Sequence, residues 1–429
     1  MVETTPFLEI ITIGREILDG RVIDTNSVWM AQKLRQRGLI VRHAQKVDDD
    51  LGRIEQAFHV ASRRSNYIIV TGGLGPTSDD RTAEAFALFQ HDSLELNKEA
   101  EECVRSYLRQ KKKEVTLAQL KQAYLPSKVG VIPNANGTAP AFYFKERTRL
   151  WFFLPGVPRE MTSLFESHVM PMLPVDEGYR SYQWITQFTS ESKLQELLSN
   201  IEQSLPLAFE LGFRTRFPEN HISLFASCNT ENEVELYNGF RDEITKVLST
   251  SCFSHGEAPI GVEDCILEVA EERGTHLAFV ESCTGGLNSH RITEVPGSSG
   301  VLKASWVVYD NLAKIKLGVS ESTLAKHGAV SKECAESMAK AGLDKLREMF
   351  PNEECACVST TGIAGPGGAT ENKPVGLCYA AVSFMEKDSD EVKAEVIKIE
   401  AGIDYERSKN KLYFSQKSLI FLFDYLSAP

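Results

Sequence analysis

Blocks of apolar residues and helix-spaced segments alternate through the first 172 residues of the chain. Short apolar runs predict strands, whereas apolar residues that recur every three or four positions predict helices with one buried face. The predicted strands are 7–13, 39–42 and 67–70, and the predicted helices are 26–37, 54–62 and 79–88. This order predicts a doubly wound α/β sheet, with a ligand site at the carboxyl ends of its strands.

The same alternation returns after residue 261. Helices are predicted at 262–273, from 286 and at 331–349, and strands at 276–280, 303–308, 356–359 and 376–383. Between the two regions, residues 178–255 predict a small α+β domain that acts as a spacer or a dimer element. The expected fold is therefore α/β, with doubly wound domains at 1–172 and 261–426 joined by the small α+β domain.

Composition limits the partners of the chain. Its 429 residues carry a net charge of -12, which argues against a surface built to neutralise nucleic acid or anionic lipid, although a local basic pocket stays open. The nine cysteines have no CxxC spacing, which favours a reducing cytoplasm over a disulfide framework or a structural zinc site. Glu3 stands where a signal peptide needs positive charge, and no apolar run is long enough for a membrane segment.

Candidate chemistry begins at Ser282, where a predicted strand gives way to a predicted helix in a segment that contains Gly285 and Gly286. A hydroxyl at such a junction has the free N–H groups of the first helical turn beside it, and the glycines let a substrate approach the backbone. Lys314 can serve as the base of a serine nucleophile if burial keeps its amine neutral. The pair predicts acyl transfer.

Other interpretations of this segment stay open. Serine is common at helix N-caps, so the serine can be a simple cap and the lysine a surface residue. His276, His290 and His327 leave a Ser–His arrangement possible. Cys283 is a rival nucleophile, but its alternating position predicts that it faces away from the site.

A second set of polar residues follows the strands of the N-terminal domain. Asp24, Asn26 and the acidic run 48–50 precede the Gly-rich loop 71–77 and the pair Asp79-Asp80. Backbone N–H groups of such a loop can cradle a phosphate, and paired carboxylates can hold a divalent cation over it. The cation is required because carboxylates alone repel phosphate. The simpler interpretation is that Asp79 caps the next helix and that 48–50 is a solvated turn.

Over its whole length the chain resembles the bacterial CinA (competence/damage-inducible) family. The N-terminal third is similar to the molybdopterin-binding-like domain of the family, and the C-terminal third to its nicotinamide mononucleotide amidohydrolase domain. The matching segments, in family order, are 14–20, 24–26, 47–50, 71–82, 133–140, 154–161, 281–286, 295–299, 309–314, 327–331, 361–368 and 373–376. The family has a small KH-like domain in between, but residues 178–255 contain no GxxG, so RNA binding does not follow.

The resemblance implies two activities in pyridine-nucleotide recycling. The C-terminal domain of the family releases ammonia from nicotinamide mononucleotide and needs no cofactor. The N-terminal domain cleaves the pyrophosphate of ADP-ribose with a divalent cation, Mg²⁺, Mn²⁺ or Co²⁺. A cytoplasmic homodimer without nucleic-acid or membrane partners is also implied.

The resemblance further assigns roles to individual residues of this chain. In the amidase, Ser282 matches the nucleophile, Lys314 its base and Tyr309 a pocket residue. Oxyanion donors are expected from Thr284, Gly285 and Gly286, and nucleotide contacts from Thr361 and Gly362. In the N-terminal domain the expected metal or phosphate contacts are Asp24, Asn26, Asp49, Asp79 and Asp80, with Gly72, Gly73 and Gly75 as the cradle.

The chain departs from the family pattern at three places. Arg15 stands where the family usually has Thr and can either grip phosphate or block the site, and Asp48 replaces a common Gly. Segment 402–407 lacks the Gly-Asp-Arg of the family, so Arg407 is the expected substitute as phosphate anchor. Two alternatives stay open: a nucleotide- or pterin-binding scaffold in competence that turns nothing over, or a protein in which the altered Arg407 region disables the amidase and only the pyrophosphatase is active.

Overall fold

The computed structural model describes residues 7–401 and 406–428. The N-terminal hexapeptide that contains Glu3, and positions 402–405 of the altered segment, lie outside the described residues. The chain forms two compact units. One comprises the residues up to Arg180 together with Ser227–Glu231, and the other comprises Ser181–Ala226 and the residues from Asn232 onward. The division into three domains stays a prediction.

Strands and helices alternate as the apolar pattern predicts. The strands are β1 (Leu8–Ile13), β2 (Val41–Val47), β3 (Tyr67–Thr71), β4 (Leu94–Leu96), β5 (Tyr124–Pro126), β6 (Gly130–Ile132), β7 (Ala141–Glu146), β8 (Arg149–Leu154), β9 (Tyr179–Gln187), β10 (Phe209–Arg216), β11 (Glu219–Ser227), β12 (Cys252–Gly256), β13 (His276–Glu281), β14 (Leu302–Val307), β15 (Cys355–Gly362), β16 (Leu377–Met385) and β17 (Lys393–Glu400). The helices are α1 (Arg15–Leu18), α2 (Thr25–Arg35), α3 (Leu51–Arg64), α4 (Thr82–Phe89), α5 (Lys98–Gln110), α6 (Leu117–Leu120), α7 (Pro158–Leu164), α8 (Glu191–Ser204), α9 (Glu231–Leu248), α10 (Val262–Arg273), α11 (Leu287–Thr293), α12 (Asn311–Leu317), α13 (Glu321–His327), α14 (Lys332–Met349) and α15 (Arg407–Ser427). None of these helices is long and apolar enough to cross a membrane.

The first unit contains a six-stranded sheet in the order β2-β1-β3-β8-β7-β6. Strands β2, β1, β3 and β8 are parallel, whereas β7 runs antiparallel to both of its neighbours, β8 and β6. Apolar side chains cover both faces: Phe58 of α3 and Phe86 of α4 pack on one side, and Met30 of α2 and Met161 of α7 on the other. The predicted doubly wound sheet is confirmed, and it brings the carboxyl ends of β2, β1 and β3 to one edge.

The middle segment folds into a four-stranded sheet in the order β10-β11-β9-β12. The β10–β11 and β9–β12 pairs are antiparallel. Helix α9 matches its predicted bounds, and α8 lies within one residue of its own. Strands β10 and β12 are absent from the sequence prediction because polar or half-exposed positions interrupt their apolar pattern.

The C-terminal sheet has the order β14-β13-β15-β16-β17. Its first three strands are parallel, and β16 runs antiparallel to both of its neighbours, β15 and β17. Met338 of α14 packs on one face, while Ile266 of α10 and Leu419 of α15 pack on the other. A doubly wound arrangement is again confirmed. The missed elements are helices α12 and α13, the edge strand β17 and helix α15, which closes the second face of the sheet.

Candidate active sites

In the C-terminal sheet, Ser282 stands directly at the carboxyl end of β13. Its backbone N–H donates to the carbonyl of Thr360 at 2.9 Å, which continues the parallel pairing with β15 by one residue. The serine is 8% exposed and lines a cavity of about 250 Å³. The sheet edge therefore presents this hydroxyl at the place where open parallel sheets bind ligands.

Lys314 reaches the serine from helix α12. Its Nζ lies 3.1 Å from Ser282 Oγ, 2.9 Å from the carbonyl of Val308 and 3.5 Å from that of Tyr309. The lysine is 1% exposed, and burial lowers its pKa, against a weaker opposing influence of the Cys334 thiol. A neutral amine can donate its two N–H bonds to the carbonyls and use its lone pair to accept the serine proton. The interpretation as a surface lysine is wrong.

Glu281 caps the helix that follows the serine. Its buried carboxylate accepts four hydrogen bonds, from the backbone N–H groups of Gly286, Asn288 and Ser289 and from the Ser289 hydroxyl, at 2.7–3.1 Å. Helix α11 begins at Leu287 with Gly286 as its N-cap, so the serine is not the cap. Because successive residues of a strand point to opposite faces, Glu281 fixes the helix while Ser282 faces the cavity.

We expect Glu281→Gln to lower the free energy of unfolding by about 2 kcal/mol, because hydrogen bonds to a buried charge are lost and an amide group is turned towards N–H donors. Urea unfolding measures the change. Glu294→Gln, at a side chain that is 72% exposed, is the matched control and should change stability by no more than about 0.5 kcal/mol. Equal stability of the two variants would contradict the capping role.

Of the three predicted oxyanion donors, Gly286 is wrong. The N–H of Gly286 is taken by Glu281 at 2.9 Å, so it cannot also hold an oxyanion. Thr284 is fully buried, with its hydroxyl 2.6 Å from that of Thr360, and neither it nor Gly285 or Gly286 lines the cavity. Within the described part of the chain, the N–H groups of residues 283–285 meet no acceptor, so Thr284 and Gly285 stay as predicted donors through their backbone.

The alternative nucleophile, a cysteine, and the alternative bases, three histidines, take different positions relative to the cavity. Cys283 is among the lining residues, but its Sγ lies 3.7 Å from that of Cys378, which is fully buried and does not line the cavity. The thiol thus packs into a core cluster, in line with the expectation that it faces away. His276, His290 and His327 are absent from the cavity lining. His276 begins β13, at the opposite end of the strand from the serine. A Ser–His arrangement is therefore not formed.

The mouth of this cavity carries the remaining predicted residues. Tyr309 is 63% exposed, and its hydroxyl accepts a hydrogen bond from the Arg407 guanidinium at 2.7 Å. Arg407 also donates to the carbonyl of Gly365 at 2.6 Å. Thr361 and Gly362, at the end of β15, line the same cavity. The structure thus brings the proposed nucleophile, base and anchor to one pocket, although they are far apart in sequence.

The N-terminal candidates also meet in one place. They line a cavity of about 410 Å³ at the carboxyl edge of the first sheet, and they are Asp24, Asn26, Asp49, Gly72, Gly73, Gly75, Asp79 and Asp80. Gly72 follows β3 directly, and its N–H donates to the carbonyl of Leu154 at 3.0 Å. Asp79 does not cap the next helix, because α4 begins after Arg81 without a side-chain cap.

The charged side chains that line this N-terminal cavity are negative. They comprise six carboxylates and, among the residues that the structure describes, no Lys or Arg. Burial raises the pKa of Asp49; the N–H of Arg15 opposes the shift, and repulsion from Glu16 adds to it. Asp79 and Asp80 repel the same carboxylate. A phosphate group cannot approach this lining without a neutralising cation.

The donor set limits how such a cation would be held. Among residues 7–401 and 406–428, no group of three or more His, Cys, Asp or Glu side chains is placed to hold a metal ion. Asp24 is engaged as the cap of α2, accepting from Ser27 N and Oγ at 3.0 and 2.6 Å, and Asp80 accepts from Thr77 N at 2.9 Å. Mg²⁺ is usually bound by one or two carboxylates together with substrate phosphates and water. The lining therefore fits a divalent cation that binds with a phosphate ligand.

Comparisons with known protein families match both the N-terminal and the C-terminal part of the chain. Residues 261–424 match the family model described as "CinA C-terminal domain", and residues 9–175 match the one described as "Probable molybdopterin binding domain". A CinA-like protein of Syntrophotalea carbinolica is 38% identical over 381 residues, which cover 88% of this chain and 90% of that protein. The chain belongs to the CinA family. A CinA-like protein of Dictyoglomus thermophilum is 32% identical over 422 residues, or 96% of this chain and 98% of that protein. The crystal structure of the protein CinA from Thermoplasma acidophilum shares 34% identity and a TM-score of 0.37, over 39% of this chain and 99% of that chain.

Two departures of this CinA chain from the family pattern turn away from the cavity. Arg15 holds Asp49 through its backbone N–H at 3.0 Å and is not a lining residue. Asp48 pairs with Arg53 at 3.0 Å, and Asp50 caps α3 through the N–H of Arg53 at 3.1 Å. The acidic run thus contributes one side chain, Asp49, to the site and two to the start of a helix.

Several lining residues were not among the predicted site residues, and they include Glu16, Gln122 and Glu160. Glu16 and Glu160 lie inside the matched segments 14–20 and 154–161, so the segments themselves were the available signal. Burial raises the pKa of Glu160, which accepts a hydrogen bond from Asn134 Nδ2 at 2.6 Å. Gln122 lies outside every matched segment.

Proposed function

We propose that the C-terminal site deamidates nicotinamide mononucleotide to nicotinic acid mononucleotide and ammonia, with Ser282 as nucleophile and Lys314 as base. The buried amine 3.1 Å from the serine hydroxyl carries this proposal, because burial favours the neutral, basic form of the lysine. Residues 261–424 match the family model of the CinA C-terminal domain, and the resemblance to that family implies amidase activity in this domain.

The chemistry proceeds in two halves. Lys314 accepts the proton of Ser282 as the serine oxygen attacks the carboxamide carbon, and the resulting tetrahedral oxyanion accepts hydrogen bonds from backbone N–H groups. The lysine then returns the proton to the amide nitrogen, the C–N bond breaks and ammonia leaves an acyl-enzyme. In the second half Lys314 deprotonates water, which attacks the ester carbon, and the acid is released as Ser282 regains its proton.

The cavity mouth provides an anchor for the nucleotide phosphate. Arg407 is held by the carbonyl of Gly365 and the hydroxyl of Tyr309 at 2.6 and 2.7 Å, which orders its guanidinium before substrate binds. A planar guanidinium can bind phosphate through two parallel hydrogen bonds. Arg407 thus fills the role for which the chain lacks the family's usual segment.

Ammonia release tests the proposal. The full-length protein is treated with chelator and incubated with nicotinamide mononucleotide, and ammonia is measured beside nicotinic acid mononucleotide. Equal amounts of both products, undiminished by the chelator, are expected of a Ser/Lys amidase. Binding of the mononucleotide without any ammonia would instead support the scaffold alternative.

We further propose that the N-terminal site cleaves ADP-ribose to AMP and ribose 5-phosphate with a divalent cation. The Gly-rich loop after β3 and the carboxylates around Asp49 line one cavity, and its lack of lining Lys or Arg within the described residues makes a cation necessary for a pyrophosphate ligand. The bound cation would neutralise the pyrophosphate and polarise its phosphorus–oxygen bonds. The carboxylates would hold the cation, and the loop N–H groups would orient the phosphates.

Chelation is expected to separate the two activities. Removal of divalent ions should abolish AMP release from ADP-ribose, because the acidic lining then repels the substrate, while ammonia release from nicotinamide mononucleotide continues. Both products are measured on one preparation, and Mg²⁺, Mn²⁺ or Co²⁺ is added back. AMP release that persists after chelation would exclude the cation role.

A further inference from the structure

Gln122 occupies the inner wall of the N-terminal cavity, behind the Gly-rich loop. It lies in a short 3₁₀ turn, Lys121–Ala123, and is 7% exposed. Its Nε2 donates to the carbonyl of Leu74, inside the loop, at 3.1 Å. This contact fixes which end of the amide is the donor and leaves the other end as an acceptor.

The acceptor end of Gln122 is unsatisfied. Its Oε1 is buried and has no hydrogen-bond partner among the described residues, and the same holds for Oδ1 of Asn26 in the same cavity lining. The Nδ2 of Asn26 donates to the carbonyl of Gly156 at 2.8 Å, which likewise fixes that amide. Buried acceptors without donors cost free energy, so a ligand that supplies N–H or O–H groups would gain by binding here.

Phosphate cannot be the group that satisfies these oxygens. An ionised pyrophosphate offers acceptors only, whereas ribose hydroxyls and an exocyclic amino group offer donors. We propose that Gln122 is a specificity-determining residue that accepts a hydrogen bond from a hydroxyl or amino group of the nucleotide. The inference rests on the proposed hydrolysis of ADP-ribose. It assigns phosphate binding to the Gly-rich loop and the recognition of hydrogen-bond donors on the ligand to Gln122.

The neighbouring residue supplies a matched control. Lys121 donates through Nζ to the carbonyls of Thr77 and Asp80, the latter at 2.8 Å. It therefore stabilises the loop and offers no acceptor to the donor groups of a ligand. Lys121→Met should weaken all ligands that use the loop. Gln122→Met keeps a similar side-chain volume and removes both the acceptor and the donor to Leu74. Because Lys121 still holds the loop in this variant, Gln122→Met should weaken mainly the ligands with donor groups.

The test measures KM for ADP-ribose and the inhibition constant of inorganic pyrophosphate, which has no donor groups when ionised, on the full-length protein with Mg²⁺. For Gln122→Met we expect KM to rise about tenfold or more and the inhibition constant to stay unchanged. For Lys121→Met both constants should rise. Gln122→Met also loses the hydrogen bond to Leu74, so its thermal midpoint without ligand should fall by only the few degrees that one lost hydrogen bond costs, roughly 1 kcal/mol, which excludes misfolding as the cause.

The outcomes distinguish a failure of the Gln122 role from a failure of the proposed hydrolase activity. An unchanged KM in Gln122→Met, or a parallel rise of both constants, would overturn the role of Gln122 while the hydrolase proposal stands. Absence of AMP release from the unaltered protein would overturn the hydrolase proposal and this inference with it.

Discussion

Ser282→Ala and Lys314→Met are each expected to reduce kcat/KM for ammonia release by about 10³-fold or more, because the two side chains act as one proton-transfer unit. For the same reason the double variant should be little worse than either single one. Steady-state assays with nicotinamide mononucleotide measure all three. Ser322→Ala and Lys316→Ala, at exposed positions, are the controls and should retain activity.

The same lysine ties activity to pH and to stability. Its folded-state pKa is lowered by burial, so the neutral, active form grows as pH rises, and the rate should climb to a plateau at a pH below the ordinary value of 10.5. Between the lowered and the ordinary pKa the unfolded chain binds the additional proton, so stability also rises with pH there. Lys314→Met removes this charge from the interior and should be at least as stable at neutral pH.

Two results would contradict the assignment of Lys314. A flat pH–rate profile up to the ordinary lysine pKa would show that no base of this kind is titrating. Strong destabilisation of Lys314→Met, seen as a lower unfolding midpoint in urea, would make the lysine structural instead.

The second large effect is expected at Gly72. Its φ is +101°, and a Cβ placed there would lie 2.1 Å from the backbone carbonyl oxygen of Ile13, which cannot move without disturbing β1. Gly72→Ala should therefore lower the unfolding free energy of the first unit by about 4 kcal/mol and abolish ADP-ribose cleavage. Calorimetric unfolding and AMP release measure both effects, while ammonia release should persist.

Gly20 provides the control for this substitution. It also has positive φ, +71°, but a Cβ there would meet nothing within 4 Å. Gly20→Ala should cost only the intrinsic strain of a left-handed residue, about 1 kcal/mol. Similar losses in the two variants would show that backbone strain, rather than the close approach to Ile13, decides the outcome.

Part of the fold could be predicted from the sequence because several buried parallel strands are continuous apolar runs, although β8, which is also such a run, is absent from the prediction. Strand β3 and helix α10 lie within one residue of their predictions. Strand β17 could not be predicted in the same way, because exposed charged residues alternate along it. The pattern that identifies a strand is its burial, and edge strands have little of it.

The candidate sites show a similar division. Ser282 was identifiable because it sits at a strand end, but its contact with Lys314 depends on how α12 returns to that edge, which spacing does not determine. The N–H of Gly286 was predicted as an oxyanion donor, yet Glu281 already uses it. Competition between a cap and a ligand for one N–H becomes visible only when side-chain directions are known.

The acidic lining of the N-terminal cavity also links folding to the ionic composition of the surroundings. Glu16, Asp79 and Asp80 repel Asp49 whenever no cation is present, so a cation that binds the folded state alone stabilises that state by mass action. The first unit would then become more resistant to unfolding as the free concentration of divalent ions rises, whereas the Ser/Lys pair of the second unit makes that unit respond to protons. The unfolding free energy of the first unit would thus depend on divalent-ion concentration, and that of the second unit on pH.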